Sequence, residues 1–265
     1  LTRTEAMNRE RKIWLIIAAS VLAIFIIYYL VMAVLAVNRT VNEFDNAYFA
    51  SLEQKEGDTI NLCAIPGYID MIRDKAFLSS QVRLAESDSV GLLINVRDSV
   101  IQLLIKGLPV RTVAIDKYDV SPFFHRANQE AIYSMLSAPL TITGMQATFM
   151  KDPVSVKIAP KDTSQAVESV KPDTTDFEAV FYTLDTGRNI RFFFEQQEDT
   201  VVADRRARFF FDLKGRAKDA SVTMRSVTRL KTPPYVPYIK IWIPKAEAKI
   251  IYRAIPREGM IVLTQ

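Results

Sequence analysis

Between Ile13 and Val37 the sequence carries no charged residue, and only Ser20, Tyr28 and Tyr29 bring a side-chain hydroxyl into the run. At about 1.5 Å of rise per residue, a helix of that length exceeds a hydrocarbon core of roughly 30 Å and can cross a bilayer with some tilt. A helix also lets a lone segment satisfy its own backbone in lipid. A cleaved signal peptide is the competing reading, with small residues that would permit cleavage after Ala36, but signal h-regions run only about 7 to 15 residues. Flanking charge sets the direction. Arg3, Arg9, Arg11 and Lys12 precede the run, whereas Arg39 is soon followed by Glu43 and Asp45. The positive-inside rule then leaves the N-terminus in the cytoplasm and everything after Asn38 outside it, in the periplasm if the cell is a bacterium with an inner membrane. Arg11, Lys12, Trp14 and Arg39 are the expected flanks of the membrane anchor.

Length and charge narrow the rest. A chain of 265 residues has room for one domain of ordinary size plus accessories. The formal net charge of +4 sits partly in the N-terminal tail and gives no reason to expect nucleic acid. A single cysteine, Cys63, excludes an internal disulfide, and with one histidine, His125, it leaves almost no scope for a Cys/His metal site. Cys63 reads as a small buried apolar residue rather than a reactive thiol. With 8 glycines and no dinucleotide or phosphate-loop fingerprint, no cofactor is expected.

Four regions follow: a tail over 1–12, the membrane helix over 13–37, a helical stalk over 38–87 and a β-rich domain over 88–265. In the stalk, Phe44, Tyr48 and Leu52 share a helical stripe, and Gly57 and Asp58 end it. A second helical stretch carries Ile69, Ile72, Ala76 and Val82 on one face; a juxtamembrane hairpin and a spacer packed on the domain are both open. Beyond Ser87, β-branched and aromatic residues alternate with polar ones. Val90–Val96 and Val100–Ile105 predict a hairpin, extended by Val110–Tyr118. Further strands are expected at Thr141–Met150, Ser155–Ile158, Phe177–Leu184, Ile190–Glu195 and Ser221–Leu230, with a turn at Asp185, Thr186 and Gly187. Ala131–Leu136 reads as a helical turn, Asp204–Lys214 as either helix or strand, and the Ser/Thr/Asp/Pro-rich stretch over 161–176 as a mobile surface loop. At the C-terminus, Tyr238–Ile243 predicts a strand, Pro244 opens an amphipathic helix over Ala246–Ala254, Pro256 stops it, and Met260–Thr264 closes as a strand. The expected fold class is mainly β, of the α+β type.

The C-terminal stretch IKIWIPKAEAKIIYRAIPREGMIVL resembles the end of L,D-transpeptidase catalytic domains of the YkuD type. In that family a strand bearing the nucleophile motif, Ser-His-Gly-Cys followed by Ile or Val and Arg, leads to a short helix, a glycine and a closing strand. Ile251, Tyr252, Ile255, Pro256, Gly259 and Val262 fall where that helix and strand would place them. The early stretch LLINVRDSVIQLLIKGLPVRTVAI is similar to the family's opening strands, with Pro109 and Val110 as its Pro-Val pair. The resemblance spans Ser89 to Leu263 and is carried by its two ends. The family's chemistry needs a thiolate nucleophile, a histidine base and a small-residue turn offering oxyanion donors. At the matching position stand Tyr238, Ile239, Lys240 and Ile241, so the family's mechanism is not expected here.

Other constellations compete with blander readings. His125 with Asp119 and Ser121 would make a triad, against a histidine beside a Pro-containing loop. Glu195, Glu198 and Asp199 would make a glycosidase pair, against a solvated turn, the favoured reading. Arg205, Arg206, Arg208, Lys214, Arg216 and Lys218 interleave with Phe209, Phe210 and Phe211. They would bind carboxylates of the wall peptide, anionic headgroups or an acidic partner, or else form the wet face of a Phe-rich element. The functional expectation is a non-catalytic, membrane-anchored docking or scaffold subunit of a cell-envelope complex. Its partners would be the bilayer, other envelope proteins and peptidoglycan. The alternatives are a divergent L,D-transpeptidase or other cell-wall enzyme, and an accessory subunit of a secretion or division machine without wall contact.

Overall fold

The computed structural model describes residues 2–53, 66–151, 179–197, 202–229 and 231–265. The chain divides into two compact units, Leu1–Gln54 with Arg216–Tyr235, and Lys55–Gly215 with Val236–Gln265.

In the first unit, helix α1 (Thr2–Glu53) runs for 52 residues. It is unbroken because the stretch contains neither Gly nor Pro, the residues that end or kink a helix. The expected stalk helix from Val41 is therefore a direct continuation of the apolar one. Trp14, Leu15 and Ile24 are 71, 69 and 67% exposed, and only 6% of the most apolar window within Trp14–Ser51 is buried inside the protein. A helix apolar on all sides calls for a nonaqueous surround or a large core. By length and composition α1 could span a membrane. Arg11 and Lys12 lie in its first turns, and Arg39 forms an exposed ion pair with Glu43 at 2.6 Å. Met32, Ala36 and Val41 are buried, and the Tyr28 hydroxyl donates to the Val227 carbonyl at 3.5 Å.

The second unit holds a mixed sheet. Helix α2 (Tyr68–Ala85) leads into β1 (Val90–Asn95), β2 (Val100–Ile105), β3 (Leu108–Ala114) and β4 (Lys117–Val120). Helices α3 (Pro122–Arg126) and α4 (Gln129–Leu136) follow, then β5 (Leu140–Ala147), β6 (Phe181–Thr186) and β7 (Arg191–Gln196). Helix α5 (Val202–Val227), β8 (Tyr238–Ile243), α6 (Lys245–Ala254) and β9 (Met260–Thr264) complete the order. Among the described residues 9 strands form the sheet, in the spatial order β3-β2-β1-β9-β5-β6-β7-β8-β4. β1 with β9 and β7 with β8 are parallel, the other neighbours antiparallel. The architecture is α+β.

The two terminal strands of that order, β3 and β4, are consecutive in the chain and separated only by Ile115 and Asp116. From Ala114 to Lys117 the chain makes three steps and reaches at most about 11 Å, so the sheet must curl until its edges adjoin. The Ile115 N–H donates to the Ser99 carbonyl at 2.8 Å and the Asp116 N–H to the Trp242 carbonyl at 3.0 Å, one on each side of that corner. The run Val110–Tyr118 is therefore not one strand, a correction to the pattern reading: alternation continues through the corner while the pairing partner changes from β2 to β8. A second crossing lies in β5, where Leu140 and Thr141 pair with β9 and Ile142 to Ala147 with β6, with a bulge between Ile142 and Gly144.

α2 packs on this sheet rather than standing off as a stalk. Leu84 is buried with Leu93, Leu104 and Val262. In β8, Ile239, Ile241 and Ile243 are buried and alternate with half-exposed residues; in β1, Leu92 to Ile94 are buried on both faces. Ser221–Leu230 is corrected as well. Val222, Thr223, Val227 and Thr228 suggest a strand, yet Val202–Val227 is a single helix; once a helix is nucleated, each further residue adds a hydrogen bond, which outweighs a weak local preference. Asp204–Lys214 belongs to the same helix. Cys63, Ser155–Ile158 and the expected loop over 161–176 lie outside the described residues.

Candidate functional site

Strand β8 occupies the position where the resemblance would put a nucleophile. Its inward side chains Ile239 and Ile241 are fully buried. On its other face the Lys240 ammonium lies 5.5 Å from the Phe193 ring centroid and 5.8 Å from that of Tyr238. The β8 backbone is held regularly on both sides, in parallel with β7 and antiparallel with β4. Its N–H and C=O groups are thus committed to ladders.

The polar chemistry nearest this strand lies at the end of β7. Glu195 and Gln196 end the apolar run RFFFEQ and are both buried, which corrects the solvated-turn reading of Glu195. The register puts Glu195 beside Trp242 of β8. Arg208 Nη2 donates to Glu195 Oε2 at 2.6 Å, and Trp242 also hydrogen-bonds the carboxylate. Burial nevertheless pushes the Glu195 carboxyl above its ordinary pKa, against the downward pull of Arg208, Lys240 and the Trp242 bond. Next to it, Gln196 Nε2 donates to Asp204 Oδ2 at 2.8 Å, and Gln196 Oε1 accepts from the Val180 N–H at 2.8 Å. Asp204 is buried and sees Lys245 Nζ at 3.5 Å.

These contacts clip the N-terminal half of α5 onto the sheet. Asp204 and Arg208, four residues apart, share the inward side of the helix. The outward side is what the clip leaves: Arg205, Arg206, Phe209, Phe210 and Leu213 are all exposed, with Phe209 at 61% and Phe210 at 59%. Arg206, Phe209, Phe210 and Leu213 follow the i, i+3, i+4, i+7 spacing of one helical face. The expected basic set is thus divided. Arg208 faces the carboxylate cluster, while Arg205, Arg206, Lys214 and Arg216 are exposed; Lys218 lies in α5.

The remaining candidates separate. Ser121 is buried, and its hydroxyl accepts from the Tyr238 N–H at 3.1 Å, tying β8 to the end of β4. His125 on α3 and Asp119 on β4 are exposed, and among the described residues no hydrogen bond joins His125 to Asp119 or Ser121. Glu198 and Asp199 lie outside the described residues, as does Cys63. Among the described residues no group of His, Cys, Asp and Glu could hold a metal ion. Sequence reasoning missed Gln196, Asp204 and Lys245. The available signal was the polar pair Glu195 and Gln196 closing a Phe-rich strand, in register with apolar residues whose period points inward.

No family model matches the chain, and neither a curated protein nor a solved structure matches it.

Proposed function

We propose that this chain is a non-catalytic docking or scaffold subunit of a bacterial cell-envelope complex. In this reading α1 anchors it in the inner membrane with the N-terminus cytoplasmic, and the sheet unit stands in the periplasm. The observation that carries the reading is β8. Where a YkuD-like domain would need a thiolate, an imidazole and a glycine-lined turn, the chain has a regular, doubly paired strand with isoleucines in its core. The two segments that carry the resemblance are neighbours in the sheet, since β1 pairs in parallel with β9. That adjacency supports a shared ancestry of the fold without its chemistry.

The docking face in this reading is the outward side of α5. Aromatic side chains flanked by arginines suit an interface, and Arg205 and Arg206 favour an acidic rim on the partner protein. Peptidoglycan is the second contact of the proposal, through carboxylates of the wall peptide. The test is co-purification from detergent extracts with the wild-type chain and with a Phe209→Ser, Phe210→Ser variant. Both positions are exposed, so unfolding should move by no more than about 0.5 kcal/mol, whereas an acidic envelope partner should be lost about 10-fold or more. Equal recovery removes α5 as the docking face. Loss of a measurable muropeptide exchange in Cys63→Ser or His125→Ala would replace the scaffold by an enzyme, and absence from pelleted sacculi at low salt would remove the wall contact.

A further inference from the structure

Within the sheet unit, a cleft of about 540 Å³ opens between β5 with its continuation to Lys151 and the C-terminal end of α6. That size is in the roughly 300–1,000 Å³ range of small-molecule sites. Met145, Phe149, Met150 and the ring of Tyr252 supply the apolar part of its wall, beside a larger polar share that includes Thr143, Lys151 and Arg257. Phe149 and Tyr252 are packed edge to face with centroids 4.8 Å apart. Against this lining stand two cations, Lys151 and Arg257, and among the described residues no acidic side chain lines the cleft.

Among the described residues neither cation has an acidic partner. The Lys151 ammonium donates to the Ile255 carbonyl at the end of α6 and lies 5.4 Å from the Tyr252 ring centroid, which leaves donors of its three free for another group. Among the described residues Arg257 has no ion-pair partner. The two like charges work against each other: burial first, then Arg257, holds the Lys151 ammonium below its ordinary pKa. An anion between them would relieve both.

We propose that this cleft binds a carboxylate carried on an apolar body, of the kind a peptide C-terminus with a large apolar last residue presents. The guanidinium of Arg257 matches a carboxylate in two parallel hydrogen bonds, and the Lys151 ammonium supplies a point charge beside it. A phosphate group fits less well. Phosphate sites are built on helix N-termini and clusters of backbone N–H groups, and this cleft meets the opposite end of a helix, where carbonyl oxygens repel a second negative charge. Met145, Met150 and the Tyr252 ring would hold the apolar part of the ligand. The proposal is independent of the α5 docking face.

Isothermal titration of the full chain in neutral detergent tests it, with N-acetylphenylalanine, its uncharged amide and inorganic phosphate as probes. The acid should bind at least about 10-fold more tightly than the amide, and Arg257→Gln should weaken the acid by about 10-fold with the melting temperature unchanged, since Arg257 is exposed. Arg257→Lys should recover part of the affinity, and Met145→Trp, which fills the cleft, should abolish it. Equal binding of acid and amide, phosphate binding as tight as the acid, an unaltered Arg257→Gln titration or no heat with any probe would each overturn the proposal.

Discussion

Glu195 and Glu247 are both half of a carboxylate–arginine pair, and their surroundings drive them in opposite directions. Glu195 is buried, and burial outweighs Arg208, Lys240 and the Trp242 bond, so its folded pKa lies above the unfolded one. The folded state therefore holds the proton more tightly, and the stability that Glu195 contributes is complete below its unfolded pKa and disappears as pH rises through the folded value. Glu247 is the reverse. The bidentate bond from Arg111, at 2.6 and 2.7 Å, holds its pKa down; that stability is present above the unfolded pKa and disappears as pH falls through the folded one. In urea unfolding from about pH 7 to pH 3, the wild type should gain stability relative to Glu195→Gln and lose it relative to Glu247→Gln. The same sign for both variants would contradict the assignment. At neutral pH, Arg208→Gln leaves Glu195 buried without its ion-pair partner. It should cost about 1–3 kcal/mol, less than the roughly 3–5 kcal/mol of a fully buried pair, because 35% of the Arg208 side chain stays in water.

Among elements, the contact of α2 with β1 shows how a glycine admits a helix to a sheet. A Cβ built on Gly91 would lie 2.4 Å from Leu84 Cδ1 and 2.8 Å from Leu84 Cγ. Leu84 is 1% exposed and enclosed by Leu93, Leu104 and Val262, so it has nowhere to turn. Gly91→Ala should therefore destabilise the chain by about 1–3 kcal/mol through overpacking, read as a lower urea midpoint at unchanged slope; a neutral result would mean that α2 shifts freely. The same elements mark how far sequence alone reaches. β8 and β9 were legible to the residue, because their alternation is bounded by prolines and a glycine that stop the pattern. α4 was legible from Ala131–Leu136, and Asn128 caps it by accepting from the N–H groups of Glu130 and Ala131. The split of Val110–Tyr118 was not legible, since alternation marks a strand's faces and says nothing of which neighbour it pairs with. Nor was α5: Val222, Thr223 and Val227 argue locally for a strand, and the clip that steadies its beginning joins Asp204 and Arg208 to residues of β7 and α6. Of the candidate site, the basic and aromatic residues were visible in the sequence, but which arginine turns inward depended on where Glu195 ended up.

For the whole molecule, the deciding question is what surrounds Ile13–Val37. Exposure of Trp14, Leu15 and Ile24 suits a helix that could span a membrane, while the contact of Tyr28 with the Val227 carbonyl puts protein against the same block. The two surroundings compete. Tyr28 lies about 14 Å along the helix from Val37, well inside a hydrocarbon core, and Val227 is closely followed and preceded by Arg229 and Arg225, both exposed. An arginine at the centre of a membrane helix costs about 2.5–3.5 kcal/mol on insertion scales, and here two would enter, neither with an ion pair among the described residues. The 3.5 Å separation is at the outer limit of a hydrogen bond and returns little against that cost. Lipid should therefore win, and the end of α5 should lie off the apolar block when the chain is in a bilayer. A Tyr28→Cys, Val227→Cys pair in a Cys63→Ser background reads this directly with a short bifunctional maleimide. In native membranes the pair should stay uncoupled, and in lipid-free protein it should couple. Efficient coupling in membranes would mean that α5 covers the block and that α1 does not span.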